Sequence, residues 1–373
     1  MSDGDNIPLG WAICHSKLIA AVVLGMRGNP AFKEDKMLTS VRNFVAAGTA
    51  IATLTCFSNF AMAQDKLVIS TATPPLHMRT LTMTRFAEEL ERRSAGVLKV
   101  DIFDSSQLYN ARDVGKAVAR GDVGMATVPS PYLSRIEANI NVLDLPMLNG
   151  LSEEKRSALL DGPLGQKLND LISAKMDIVV PGKWPTLGRV MYWSTSKPLT
   201  TFEDLRGMQI RIPGGAAPAA RVEAMGGVPV VMPNSDTALA LQQGIVDATM
   251  GTIEAVVQQK LTDVGVSHGF WDQGIVGFLI PVVSRKYWSS LSAEQQALFT
   301  QVWNEGVEAQ RIEIFQLDEE YRAALAKQGV KISDASTAAA EFVGDEMMLM
   351  QAGLVETLGI SDDVMALAKA AVK

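Results

Sequence analysis

The sequence predicts a mixed α/β protein in which a mostly parallel sheet, covered by helices, is divided between two lobes. Three observations carry that expectation. From Lys66 onward, short β-type runs alternate with stretches of helical periodicity, the rhythm of βαβ units. Once an N-terminal leader is set aside, about 300 residues remain, more than a single small core usually holds. Near Pro185 and Lys197-Pro198 the rhythm breaks and restarts, where a second lobe is expected to begin.

Taken in order, residues 1–36 show no coherent pattern, and their run Leu18 to Met26 is too short to cross a bilayer. From Met37 the chain has Arg42, an apolar stretch from Phe44 to Leu54 and the small-residue triplet Ala61-Met62-Ala63. That order is the pattern of a secretory signal over 37–63, with cleavage expected after Ala63, translation starting at Met37 and the mature protein in a bacterial periplasm. Lys66 to Thr71 reads as a strand, Arg79 to Ser94 as a helix with Leu81, Phe86 and Leu90 on one face, and Leu98 to Phe103 as the next strand. A helix over Ala111 to Ala119 and a strand over Val123 to Val128 follow. In parallel sheets ligands sit beyond the carboxyl ends of the strands, so the loops Thr73 to Met78 and Pro129 to Tyr132 become candidate site loops. Strand-like runs over Val179 to Trp184 and Leu187 to Trp193 flank Pro185, and Met208 to Ile212 is a further strand. Ser292 to Gln328 carries Phe299, Trp303, Val307, Ile314, Leu317, Tyr321 and Leu325 on one helical face. As one helix it would be roughly 50 Å long, a spine along both lobes; the alternative is two helices broken near Gly306.

The charge balance and the scarcity of reactive groups exclude several functions. The whole chain carries a net charge of −7, and loss of the leader makes it slightly more acidic. Nucleic acid and anionic membrane both demand clustered Lys and Arg, so neither is an expected partner. Cys14 and Cys56 both precede the cleavage point, leaving no thiol or disulfide chemistry, and of the histidines only His77 and His268 remain. No HExxH, CxxC, calcium-loop, GxSxG or Walker spacing is present, so no metal, cofactor or enzymatic activity is expected.

Two arginines are better placed for binding. Strand alternation puts Arg189 on the face of Leu187 and Met191, where a charge is buried only with a partner. Arg211 faces away from Ile210 and Ile212, just before the turn Pro213-Gly214-Gly215, which either directs backbone amides at an anion or is an ordinary strand-to-helix turn. Pattern alone leaves each arginine open between a structural and a clamping role. Tyr132, Trp184, Phe270 and Trp271 are aromatics placed either to cover an apolar ligand body or to fill the core. His77 is either a solvated loop residue or a donor to a carboxylate or hydroxyl.

The stretch Asp204-Leu205-Arg206-Gly207-Met208-Gln209-Ile210-Arg211-Ile212-Pro213 closely resembles the "DLKGLKIRVP" signature of TRAP (tripartite ATP-independent periplasmic) transporter solute-binding proteins, the DctP family. Met225-Gly226-Gly227-Val228-Pro229-Val230, the segment Ala238 to Asp247, Arg120-Gly121-Asp122-Val123-Gly124-Met125-Ala126 and Val142-Leu143-Asp144-Leu145-Pro146 resemble further motifs of that family, in order. The resemblance runs from about Lys66 to at least Leu298. It implies a two-lobe periplasmic-binding-protein-like fold with a hinged cleft and a long helix spanning both lobes: 64–186 with 276–316 as lobe I, and 187–275 with 317–373 as lobe II. It further implies a receptor that binds a small organic carboxylate and delivers it to TRAP membrane subunits driven by an ion gradient. Alternatives within the same fold are a receptor for a phosphorylated polyol or other anion, or a sensor ectodomain. Arg211 is then the principal carboxylate clamp and Arg189 a second contact. The family often carries an Asn or aromatic where this chain has Gly251, so that side-chain contact is missing.

Overall fold

The computed structural model describes residues 66–195 and 197–372. The expected leader 37–63 and the segment 1–36 lie outside the described residues. Strand β1 (Leu67–Ser70) leads into helix α1 (Met78–Arg93), β2 (Val100–Phe103), α2 (Val114–Arg120), β3 (Met125–Pro129) and the short α3 (Ser130–Leu133). Two 3-10 turns, Ala138–Asp144 and Pro146–Leu148, precede α4 (Glu153–Asp161), α5 (Pro163–Lys175) and β4 (Ile178–Val179). Then come β5 (Thr186–Ser194), β6 (Gln209–Ile212), α6 (Ala216–Ala224), β7 (Val228–Val231), α7 (Thr237–Gln242), β8 (Ala248–Thr252) and α8 (Ile253–Gln258). The chain closes with β9 (His268–Ser284), α9 (Arg285–Ser290), α10 (Ala293–Lys327), β10 (Lys331–Asp334), α11 (Thr337–Leu358) and α12 (Asp362–Ala371).

The strands line up as β2-β1-β3-β9-β5-β8-β6-β7, with β4 and β10 also paired to β9. Each lobe has the predicted parallel pairings, β2-β1-β3 in one and β8-β6-β7 in the other. What joins them is antiparallel. The 17-residue β9 pairs through Leu279–Val283 with β3 and through residues 268–278 with β5. It therefore belongs to both lobes. The strand expected over Val179 to Trp184 shrinks to Ile178–Val179, because Lys183 donates its backbone N–H to the Asn304 side chain of α10 instead of to a neighbouring strand.

Helix α10 is one helix of 35 residues, continuous through Gly306. Ser292 caps it reciprocally with Gln295, at 3.2 and 2.9 Å, which fixes where it starts. Its first half buries Phe299 and Trp303 against Phe86 of α1, with ring centroids 4.9 and 5.3 Å apart in edge-to-face geometry. Its second half places Leu325 in the core built by β5, α7 and α8. The helix thus packs on both lobes, as the spine reading expects.

The C-terminal tail departs from the expected division. Val364, Met365 and Ala368 of α12 are buried in the same core as Ile140, Leu164 and Leu168. Ser361 caps this return by donating its N–H to Asn139 Oδ1 at 2.7 Å. The final helix therefore belongs with the first lobe, not with the second as the 317–373 assignment had it.

Candidate functional site

A cavity of about 470 Å³ opens between the lobes at the carboxyl ends of the parallel strands. The loop after β1 supplies Thr73, Pro74 and His77, and the end of β3 supplies Pro129 to Tyr132, so both loops singled out in the sequence lie on its wall. From the other lobe come Arg211 and Pro213 after β6, and Met250, Gly251 and Thr252 on β8.

Two buried guanidinium groups dominate its chemistry. Arg211 donates from Nε and Nη2 to the Met232 carbonyl at 3.1 and 3.0 Å, and from Nη1 to the Met250 carbonyl at 3.3 Å. Arg79, in the first turn of α1, donates from Nε to Thr127 Oγ1 at 3.0 Å and from Nη2 to the Thr127 carbonyl. Both are at most 5% exposed and both line the cavity. Among the described residues no carboxylate forms an ion pair with either. Burial holds each well below its ordinary value, to about 10, while nearby Tyr132 favours the charged form of both. A buried charge without a counter-charge is costly, and an anion in the cavity would offset that cost. Arg79 was not singled out in the sequence. The signal available there was a cation in a first helical turn, opposing the helix dipole, with no acidic residue in the same turn.

His77 caps α1, its Nδ1 accepting the Arg79 N–H at 3.2 Å, and it also lies 3.1 Å from Glu254 Oε2. Glu254 Oε1 accepts the Met78 N–H at 2.6 Å. This joins α8 of the second lobe to the start of α1 in the first. Burial, assisted by Arg79, lowers His77 to about 3; burial, assisted by Asp318, raises Glu254 to about 7 despite the Met78 hydrogen bond. The imidazole is therefore neutral, and burial favours the protonated form of the carboxyl that faces it.

Arg189 is not in the cavity. It bonds Glu153 Oε1 at 2.8 Å and Glu319, and its guanidinium lies 4.9 Å from the Trp271 ring centroid. Two irregularities defeat the alternation argument. Against β9, β5 carries an extra residue between Thr186 and Gly188, and β9 carries extra residues opposite Val190 to Tyr192. Leu187 and Val190 consequently face the cavity, while Met191 enters a core. Of the four aromatics only Tyr132 lines the cavity. Trp184 is core, its indole N–H bonded to Asn169 at 2.9 Å; Phe270 is core, edge-to-face with Phe202; Trp271 lies beside Arg189.

No cluster of potential metal ligands occurs among the described residues, and none of their helices is long and apolar enough to cross a membrane. Two α/β lobes around a cavity with unpaired buried cations define an anion-binding receptor of the two-lobed type. Residues 69–348 match the sequence profile of bacterial extracellular solute-binding protein, family 7 (DctP), so the chain belongs to that family. It is 28% identical over 214 residues to the C4-dicarboxylate-binding periplasmic protein DctP of Rhodobacter capsulatus, covering 56% of this chain and 62% of that one. It is 26% identical over 261 residues to the 2,3-diketo-L-gulonate-binding periplasmic protein YiaO of Escherichia coli, covering 69% and 77%. In fold it matches a TRAP periplasmic solute-binding protein of Sulfurospirillum deleyianum with bound succinate, at TM-score 0.74 and 24% identity over 83% of this chain and 99% of that one. It also matches the sugar-acid-binding protein DctPAm of Advenella mimigardefordensis in complex with galactonate, at TM-score 0.75 and 20% identity over 82% and 98%.

Proposed function

We propose that this protein is a non-catalytic periplasmic receptor that holds a small organic carboxylate between its lobes and delivers it to TRAP membrane subunits. The observation that carries this reading is the pair of buried guanidinium groups, Arg79 and Arg211, with no ion-paired carboxylate among the described residues, on one cavity at the strand ends. Guanidinium forks match carboxylate geometry, and their cost while unpaired is relieved when the ligand binds. Relatives that bind C4-dicarboxylate, 2,3-diketo-L-gulonate, succinate and galactonate support the carboxylate class. Export rests on the leader, with Gln64 as the first mature residue. The lobes are read as 64–186 with 276–316 and α12, and 187–275 with the end of α10 and β10.

Closure follows from the same charges. Arg79 stands on the first lobe and Arg211 on the second, so an anion touching both binds the closed form more tightly than the open one and shifts the population toward it. A thermal-shift screen of residues 64–373 against small organic acids tests the reading. Ligand at a hundred times its Kd stabilises by about 2.7 kcal/mol, a readable shift. The expected result is stabilisation by a carboxylate class, abolished in Arg211→Ala. An equal shift in that variant would remove the clamp.

A further inference from the structure

Resting on the carboxylate-receptor reading, we infer that the ligand carries its carboxylate on a bulky apolar body, branched, alicyclic or aryl, and is not a polyhydroxylated sugar acid. The cavity is divided between floor and mouth. Its exposed polar residues, Ser106, Asn110, Arg112, Asn234 and Ser235, stand at the solvent edge. One side of its inner wall is aliphatic or aromatic: Leu187 and Val190 from β5, Ile275, Val276 and Phe278 from β9, and Leu143.

Besides the two arginines, the buried polar side chains on the lining are His77, Ser130 and Thr252, with Asp144, Tyr132, Gln258 and Gln259 half-buried there. His77 Nδ1 is taken by the Arg79 N–H, and Thr252 Oγ1 accepts the Ala255 N–H to cap α8. Thr73 Oγ1, partly buried, is 2.8 Å from Thr80 Oγ1. Against Leu187, Val190, Ile275, Val276 and Phe278 the hydroxyls of a sugar acid would find no partner, and each placed there would lose its water without replacement. An apolar body loses nothing there and gains from its own burial.

Gly251 supplies the room. It lies on the lining, its φ is outside the left-handed region, and a Cβ built on it meets no atom within 4 Å. A side chain is sterically allowed at this position, so the glycine leaves open volume that any larger residue would fill.

Titration calorimetry on residues 64–373 tests the inference, with cyclohexanecarboxylate and 3-phenylpropionate set against D-gluconate and D-galacturonate. The apolar-bodied acids are expected to bind at least about tenfold more tightly, and affinity should rise about fourfold per methylene along a series of linear monocarboxylates. Gly251→Leu should weaken the bulky acids about tenfold or more and acetate far less. Val190→Thr, which keeps the shape and adds a hydroxyl, should weaken them in the same direction and guards against a folding defect in the first variant. Tighter binding of gluconate or galacturonate, lost in Arg211→Ala, would overturn the apolar-body inference and leave the receptor reading standing. Carboxylate binding that survives Arg211→Ala unchanged would instead overturn the reading on which the inference rests.

Discussion

At the scale of single residues, the proposed site rests on two buried guanidinium groups that have no ion-paired carboxylate among the described residues. Arg211 was legible because a recognisable motif surrounds it, whereas Arg79 was hidden one residue past the end of a loop already suspected. Glu254 gives a residue-scale test that is independent of ligand. Its carboxyl is raised to about 7 in the folded protein, above the ordinary 4.5. Between those values the unfolded chain has lost a proton that the folded one keeps, so this group's contribution to stability falls as pH rises through that window and is constant above it. Glu254→Gln retains the acceptor for the Met78 N–H and supplies an N–H toward His77, but cannot ionise. Its stability relative to wild type is expected to improve from pH 5 to pH 8 by on the order of 3 kcal/mol. Melting temperatures of the two proteins across that range check it, and a difference independent of pH would contradict the assignment.

At the scale of elements, the parts with local signals were legible and the irregular parts were not. The first two βα units lie close to where periodicity put them, since their apolar spacing is a property of a few neighbouring residues. The misplacement of Arg189 came from β5, where an extra residue against β9 cannot be seen in one strand's alternation. Its cause is visible in the structure. Gly188 has φ +83°, and a Cβ there would come within 2.8 Å of Asp318 Oδ2 on α10. Asp318 is in turn held at 3.1 Å by the Arg189 N–H. Gly188→Ala thus meets both backbone strain and a buried carboxylate, and we expect it to destabilise the protein by about 2 kcal/mol or more. Chemical denaturation checks this; an unchanged midpoint would mean that the irregularity is not enforced by the close approach of α10.

At the scale of the whole molecule, the two lobes were legible from length and from the restart of the strand pattern, but the manner of their joining was not. β9 and α10 each run through both lobes, and α12 returns to the first lobe from the end of the chain. Such long-range pairings leave little trace in local sequence. The arrangement puts one unpaired cation on each side of the cavity, and Glu254 touching the start of α1 marks the seam between them. In the proposed reading a single anion touches both, so that binding and closure are one event. The most direct measurement is a calorimetric double-mutant cycle on Arg79→Ala and Arg211→Ala, using the carboxylate that gives the largest thermal shift. Each single variant is predicted to lose about 2 to 5 kcal/mol of binding, and the double variant less than their sum, since the two contacts are made together. Wild-type affinity in either single variant would show that its cation is structural, and the account of a ligand shared between the lobes would be wrong.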